Sequence, residues 1–168
     1  MFGGYVKLDN TYQGTLLVVS TVGTPVNADA LPTFRVYGPT GFVKDGTTTL
    51  RNSGTVSNAT NASPVVITST AHGLTTGALI TVVAVTGNTG ANGTFVVTRV
   101  DANSFSLDGS TGNGAHAGGG TWNVTGLYGF SIPALGIDGY ESGKSYQVQF
   151  AYLIATVSGS QVHSLQVN

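Results

Sequence analysis

Nowhere in its 168 residues does this chain repeat apolar side chains at the three- and four-residue spacing of a helix. Short runs of Val, Ile, Thr, Phe and Tyr alternate instead with Gly, Asn, Asp and Pro. Runs of the good helix formers Ala, Leu, Glu and Lys are missing. Branched and aromatic side chains suit a pleated, half-buried surface, and the punctuating residues suit tight turns. The pattern therefore predicts an all-β chain, built as a sandwich or a barrel. Disorder is excluded on composition, because 40% of the residues are hydrophobic and only 8% are charged. So few charges leave a surface of Thr, Ser, Asn and Gly, part of it covered by neighbouring subunits.

Two textures divide the chain. The outer parts offer strands at Tyr5–Leu8, Thr15–Thr21, Thr33–Tyr37, Thr47–Gly54, Leu127–Ile132, Ser145–Val157 and Gln161–Val167. Gly38-Pro39-Thr40-Gly41, Asp45-Gly46 and Gly159-Ser160 read as turns. Tyr146, Val148, Phe150 and Tyr152 share one parity against Gln147 and Gln149, as on a strand with one buried face. About seven strands is the count of an immunoglobulin-like β-sandwich. The middle is poor in aromatics and offers strands near 65–69, 79–85, 94–100, 104–107 and 121–123, enough for a small five-stranded barrel. The reading is a discontinuous sandwich of residues 1–55 and 124–168, with residues 56–123 inserted in one loop as a β-barrel.

Most chemistry is missing from the sequence. Cysteine is absent, which excludes disulfides, thiolate zinc sites and a cysteine nucleophile. The six Lys and Arg are scattered and the formal net charge is -1, so no basic track fits nucleic acid and no basic amphipathic helix fits a membrane. The N-terminus lacks the apolar core of a signal peptide, and the longest apolar stretch, Ala78–Val85, is too short to span a bilayer. His72, His116 and His163 have no spaced partners for a metal: His72 reads as a turn cap, His116 as part of a flexible exposed loop, and His163 as the edge of a core. Asp101, Asn103 and Asp108 match no calcium loop and read as turn residues. The Gly-rich stretches 87–93 and 109–120 precede no helix and so are not phosphate loops. No catalytic set, cofactor site or metal site emerges, and the expectation is a protein that is not an enzyme.

One resemblance is specific. Ile67-Thr68-Ser69-Thr70-Ala71-His72-Gly73-Leu74-Thr75-Thr76-Gly77 resembles the start of a small β-module that recurs in bacteriophage head and tail proteins. Asn92-Gly93-Thr94-Phe95, the run Val96–Phe105, Leu107-Asp108-Gly109-Ser110 and Gly118-Gly119-Gly120-Thr121-Trp122 continue it in order. A similar barrel occurs in ubiquitin-activating enzymes. The outer part, with Phe34-Arg35-Val36-Tyr37-Gly38-Pro39 and Gly126-Leu127-Tyr128-Gly129-Phe130, is similar to phage immunoglobulin-like domains. The resemblance implies a virion structural protein, made in the host cytoplasm and carried on the outer surface of the capsid as a decoration or cement protein. Its expected partners are the major capsid protein and copies of itself. A tail, baseplate or fibre component, or an adhesion module binding host surface glycans, is the alternative. Contacts are expected from exposed apolar and aromatic residues: Met1, Phe2 and Tyr5 as an N-terminal anchor in which Gly3 and Gly4 let backbones approach closely, and Tyr12 and Tyr140 in loops.

Overall fold

The computed structural model describes the backbone from Gly3 to Asn168 and the side chains from Val6 onward. Fifteen strands follow in chain order. They are β1 (Gly3–Val6), β2 (Thr11–Leu17), β3 (Thr33–Gly38), β4 (Gly41–Thr47), β5 (Thr49–Leu50), β6 (Ser53–Thr55), β7 (Asn58–Ala59), β8 (Val65–Thr68), β9 (Leu79–Thr86), β10 (Gly93–Arg99), β11 (Ser104–Leu107), β12 (Gly118–Val124), β13 (Leu127–Pro133), β14 (Ser145–Ile154) and β15 (Val157–Val167). Residues 1–49 with 128–168 form one compact unit and residues 50–127 a second. The crossings lie several residues outside the texture change at 56 and 123. The reason is that Ser53–Thr55 pairs with β12 and so belongs to the inner unit.

The outer unit is an immunoglobulin-like sandwich. One sheet has the order β1-β15-β14-β3-β4 and the other β2-β13-β5. β1 runs parallel to β15, with Gly3 opposite Ser164 and Val6 opposite Val167; β14 pairs antiparallel with β15 and with β3. Alternation does the rest: Tyr146, Val148 and Phe150 point inward from β14, while Gln147, Gln149 and Ala151 point out. The inward set meets Leu16, Phe34, Val36, Phe130, Ile132, Leu165 and Val167 in one core. Tyr146 forms the tyrosine corner of such folds: its hydroxyl accepts the Glu141 N–H at 2.7 Å and donates to the Gly139 carbonyl at 3.4 Å. Two residues on, where antibody domains place a disulfide cysteine, stands fully buried Val148. The chain has no cysteine, so no disulfide joins the two sheets.

The inner unit is a curled sheet of order β6-β12-β9-β10-β11-β8-β7. Its first and last strands are consecutive in the chain, and this closes it. Val56 donates to Gly120 on one side, and Ser57 donates to Thr68 on the other. One bent segment thus hydrogen-bonds both edges, and β8 to β12 supply the five strands read from the sequence. The core holds Ile67, Ile80, Val82, Val97, Phe105, Leu107 and Trp122.

Several sequence readings are corrected. Asp45-Gly46 lies inside β4, not in a turn, and Gly159-Ser160 lies inside β15. These glycines serve as floors for aromatic rings on the neighbouring strand. Gly46 is opposite Phe34 and Gly159 is opposite Tyr152, and an added Cβ would meet those rings at 2.5 and 2.3 Å. Gly54 does the same for Trp122 at 2.9 Å. The β14–β15 turn falls instead on Ala155-Thr156. The stretch Thr47–Gly54 is not one strand; it breaks at buried Thr48, whose hydroxyl donates to the Pro32 carbonyl at 2.9 Å.

Candidate interaction surfaces

Three places in the fold combine exposure with chemistry. The first is the outer face of the five-stranded sheet. In register across it run Asp45, Arg35, Gln149 and Val162, and next to that row Phe42, Tyr37, Gln147 and Ser164. Arg35 and Asp45 stand opposite one another, so the face carries almost no net charge. A shallow trough of about 380 Å³ crosses it between Arg35, Tyr37, Gln149 and Val162. Tyr37 and the exposed Phe42 meet edge to face at 6.1 Å at one corner. Amides, hydroxyls and an aromatic pair suit a neutral protein or sugar surface.

The second is the side of the sandwich where β15 and β2 face each other. Asn168 donates to Val6 and accepts from Leu8, while Val167 bonds with Lys144 and Gly143 on the opposite side. Backbone alternation then turns the N–H and C=O groups of Ser158, Ser160 and Val162 toward the β1 side. β1 covers only Ser164–Val167, so these groups form an open edge with no partner among the described residues. Between this edge and β2 lies a groove of about 470 Å³ lined by Tyr12, Leu17, Val19, Gln161 and His163, where Gln161 Nε2 donates to the Leu17 carbonyl at 2.9 Å. It continues past Val19 into a hollow of about 430 Å³ against Tyr152, Ile154 and Val157.

The tip of this side is held in an unusual way. Ala155 and Thr156 both adopt positive φ, 48° and 68°, in a two-residue hairpin turn that favours Asn-Gly. Asp29, far away in sequence, accepts both amides on its two carboxylate oxygens at 2.9 Å. Its own N–H donates to the Leu153 carbonyl. A charge-assisted clamp replaces the missing turn residues.

The third is the acid- and histidine-bearing end of the barrel, and its chemistry is structural. His72 is buried; its Nδ1 accepts the Leu74 N–H at 3.0 Å, so Nε2 carries the proton and donates to the Asp101 carbonyl at 3.0 Å. Its ring packs edge-on to Phe105 at 5.0 Å. Asp101 accepts the Asn103 N–H, and hydrogen bonds from the Ser104 side chain and then from that amide hold its carboxyl below the usual range. Asp108 accepts from the Thr98 and Ser106 hydroxyls. Among the described residues no group of three or more His, Asp or Glu gathers as a metal site. No helix of the described residues is long and apolar enough to cross a membrane.

The Gly-rich stretch around His116 is pinned, not a loose exposed loop. Fully buried Asn88 donates to the Thr60 carbonyl at 2.8 Å and accepts the Asn113 N–H at 3.0 Å. Gly112 donates to Ala62, and an added Cβ there would meet Asn61 at 2.7 Å. The glycines let backbones approach that closely.

Of the sequence-selected contact residues, Met1 and Phe2 lie outside the described residues, as does the Tyr5 side chain. The Gly3–Val6 backbone is a strand of the sandwich's own sheet. Tyr12 is in β2, not in a loop; it is half-buried against Phe130 at 5.8 Å and lines the β2–β15 groove. Tyr140 is not exposed. It packs on Tyr146 at 4.9 Å beneath the tyrosine corner, is 2% exposed, and its hydroxyl has no hydrogen-bond partner among the described residues. Burial, with Asp138 and Tyr146 nearby, pushes that hydroxyl up to about 12. Asp29 and the β15 edge do not stand out in the sequence. Only the uncharged, proline-free text of residues 157–163 marks the edge, and nothing local marks Asp29.

No family model matches this chain, and no curated protein matches it. Among solved structures, one that is similar is the collagen-binding subdomain of the Enterococcus faecalis surface protein ACE. It is 9% identical, and the alignment covers 98% of this chain and 93% of that one at a TM-score of 0.26. A likeness at that score carries no argument about function.

Proposed function

We propose that this chain is a non-enzymatic structural protein of a bacteriophage particle, a decoration or cement protein on the outside of the capsid. In this reading the sandwich binds the major capsid protein and the barrel module rides on it as an insertion. The observation that supports it most is the near-neutral outer face of the five-stranded sheet. Docking there depends on apolar burial and uncharged hydrogen bonds, because surface ion pairs contribute only about 0–1 kcal/mol each and this face has almost none to offer. The polar chemistry elsewhere holds turns and closes the barrel. The likeness of residues 67–122 to phage head and tail modules supports the same reading from the sequence side.

The test is binding to purified particles from which the protein is missing. The chain is expected to bind at many sites per shell, and binding is expected to persist in high salt. Substituting Tyr37→Ala and Phe42→Ala together should lower occupancy at least tenfold without lowering the melting temperature sharply. Binding that moderate salt abolishes, or that ignores the double substitution, overturns docking through this face.

A further inference from the structure

Ala155 and Thr156 turn the β14–β15 hairpin at positive φ, a strained conformation for non-glycine residues of a kind that clusters at ligand sites. Asp29 holds this tip from outside the hairpin by accepting both amides. Just behind the tip, Ile154 stands opposite Val157 and Tyr152 opposite Gly159, on the inward parity of the sheet. Gly159 has no side chain, so the Tyr152 ring lies over its backbone, where an added Cβ would come within 2.3 Å of the ring. These residues and the Val19–Thr21 stretch line the hollow of about 430 Å³. Its lining reaches no further along β15 than Gly159, whereas β1 meets β15 only from Ser164 to Val167.

The lining is of two kinds. Val19, Ile154 and Val157 are aliphatic, and Val157 is 66% exposed. Ser20, Thr21 and Tyr152 bring hydroxyls. Ser20 Oγ accepts the Thr24 N–H at 3.3 Å and keeps its own proton to donate. No charged side chain lines the hollow, and both carboxylate oxygens of Asp29 are taken by the tip.

We propose that this hollow binds a neutral pyranose, one sugar residue of an uncharged glycan, with the C–H face of the sugar on Tyr152 and its hydroxyls on Ser20 and Thr21. The ligand has to answer both kinds of lining. A purely apolar molecule would desolvate the three hydroxyls without replacing their hydrogen bonds. A charged one would leave water for a place with no counter-charge. A pyranose carries an apolar face and a hydroxyl edge on one small ring, and an aromatic side chain with a polar tip matches that division. The hollow falls within the usual range of ligand sites, about 300–1,000 Å³. The Asp29 clamp and the Gly159 floor form it in advance, which lowers the ordering cost of binding. It opens on the inward side of the five-stranded sheet, not on the outer face assigned to capsid docking. The inference therefore goes beyond the virion reading and stands or falls separately from it.

Titrating the isotope-labelled full chain by NMR decides it. The probes are the methyl glycosides of glucose, galactose, mannose and N-acetylglucosamine, with N-acetylneuraminic acid as the charged sugar and p-cresol as the apolar ring. The expected result is saturable shifts at Thr21, Tyr152 and Val157 with at least one neutral glycoside, and none there with the other two probes. Tyr152→Ala should weaken that binding at least tenfold. Should that variant not fold, Thr21→Val, on an exposed turn, should weaken it several-fold with the melting temperature unchanged. The proposal is overturned if no neutral glycoside moves these signals at its highest soluble concentration, or if the shifts map elsewhere. It is also overturned if p-cresol or the charged sugar binds the hollow as well as the neutral sugars do, or if the folded variants bind like the parent.

Discussion

At the residue scale, buried polar groups decide where the chain is vulnerable. Tyr140 hides a hydroxyl with no partner among the described residues, and an unpaired buried hydroxyl costs about 1–3 kcal/mol. Tyr140→Phe is therefore expected to hold or raise stability by about 1 kcal/mol in denaturant titration. The hydroxyl's folded value is raised from 10.0 to about 12, so stability present below pH 10 is lost as pH climbs from 10 toward 12. The Phe variant should lose less over that interval. His163 behaves in the opposite sense. Burial against Phe150 and Phe130 holds its imidazole below the usual 6.5, so the unfolded chain takes up the proton first and stability falls as pH drops through 6.5. His163→Leu should flatten that acid limb in melts across pH 5 to 7, a window set by the ordinary His value of about 6.5. Asn88→Ala is expected to cost about 2–4 kcal/mol, since it strands the Thr60 carbonyl and the Asn113 amide in the barrel. His72 could be read as a turn cap because a lone His-Gly offers little else. Tyr140 could not be placed, because polar neighbours on either side suggest exposure while the corner above it forms only in three dimensions.

At the element scale, strand identity was legible and turn identity less so. The parity of Tyr146, Val148 and Phe150 against Gln147 and Gln149 is written in the sequence, and β14 has that pattern. Glycine was ambiguous. The same residue type that makes a hairpin turn also makes room for a ring, and Gly46 and Gly159 do the second. Gly159→Ala should therefore cost about 1–3 kcal/mol through the displaced Tyr152 ring, as overpacking does, with cooperativity retained in the melt. The true turn carries Ala155 and Thr156 in a conformation costing about 1–3 kcal/mol for each non-glycine residue. Only the clamp from Asp29, contributed by the distant β2–β3 connection, makes it tolerable. Asp29→Ala is expected to lower stability by about 1–3 kcal/mol. Replacing Ala155-Thr156 by Asn-Gly in that background should recover most of the loss. If the second change recovers nothing, the clamp has another role.

At the scale of the whole molecule, the chain is a sandwich interrupted by a barrel, each with a core of its own. The change of texture in the sequence lies near residues 56 and 123, whereas the crossings follow from pairing, since Ser53–Thr55 is too short and too polar to declare which sheet it joins. Excising residues 50–127 and bridging the ends with a short Gly-Ser turn should leave a cooperatively unfolding β-protein. A remnant without a transition would mean the units are not independent. The functional claim rests on a surface with almost no net charge and on polar groups committed to structure. The most direct test is to label the protein on intact particles and view them by electron microscopy. The account predicts label over the whole shell at many copies per particle. Label confined to one vertex or to the tail, or none on the particle, contradicts it.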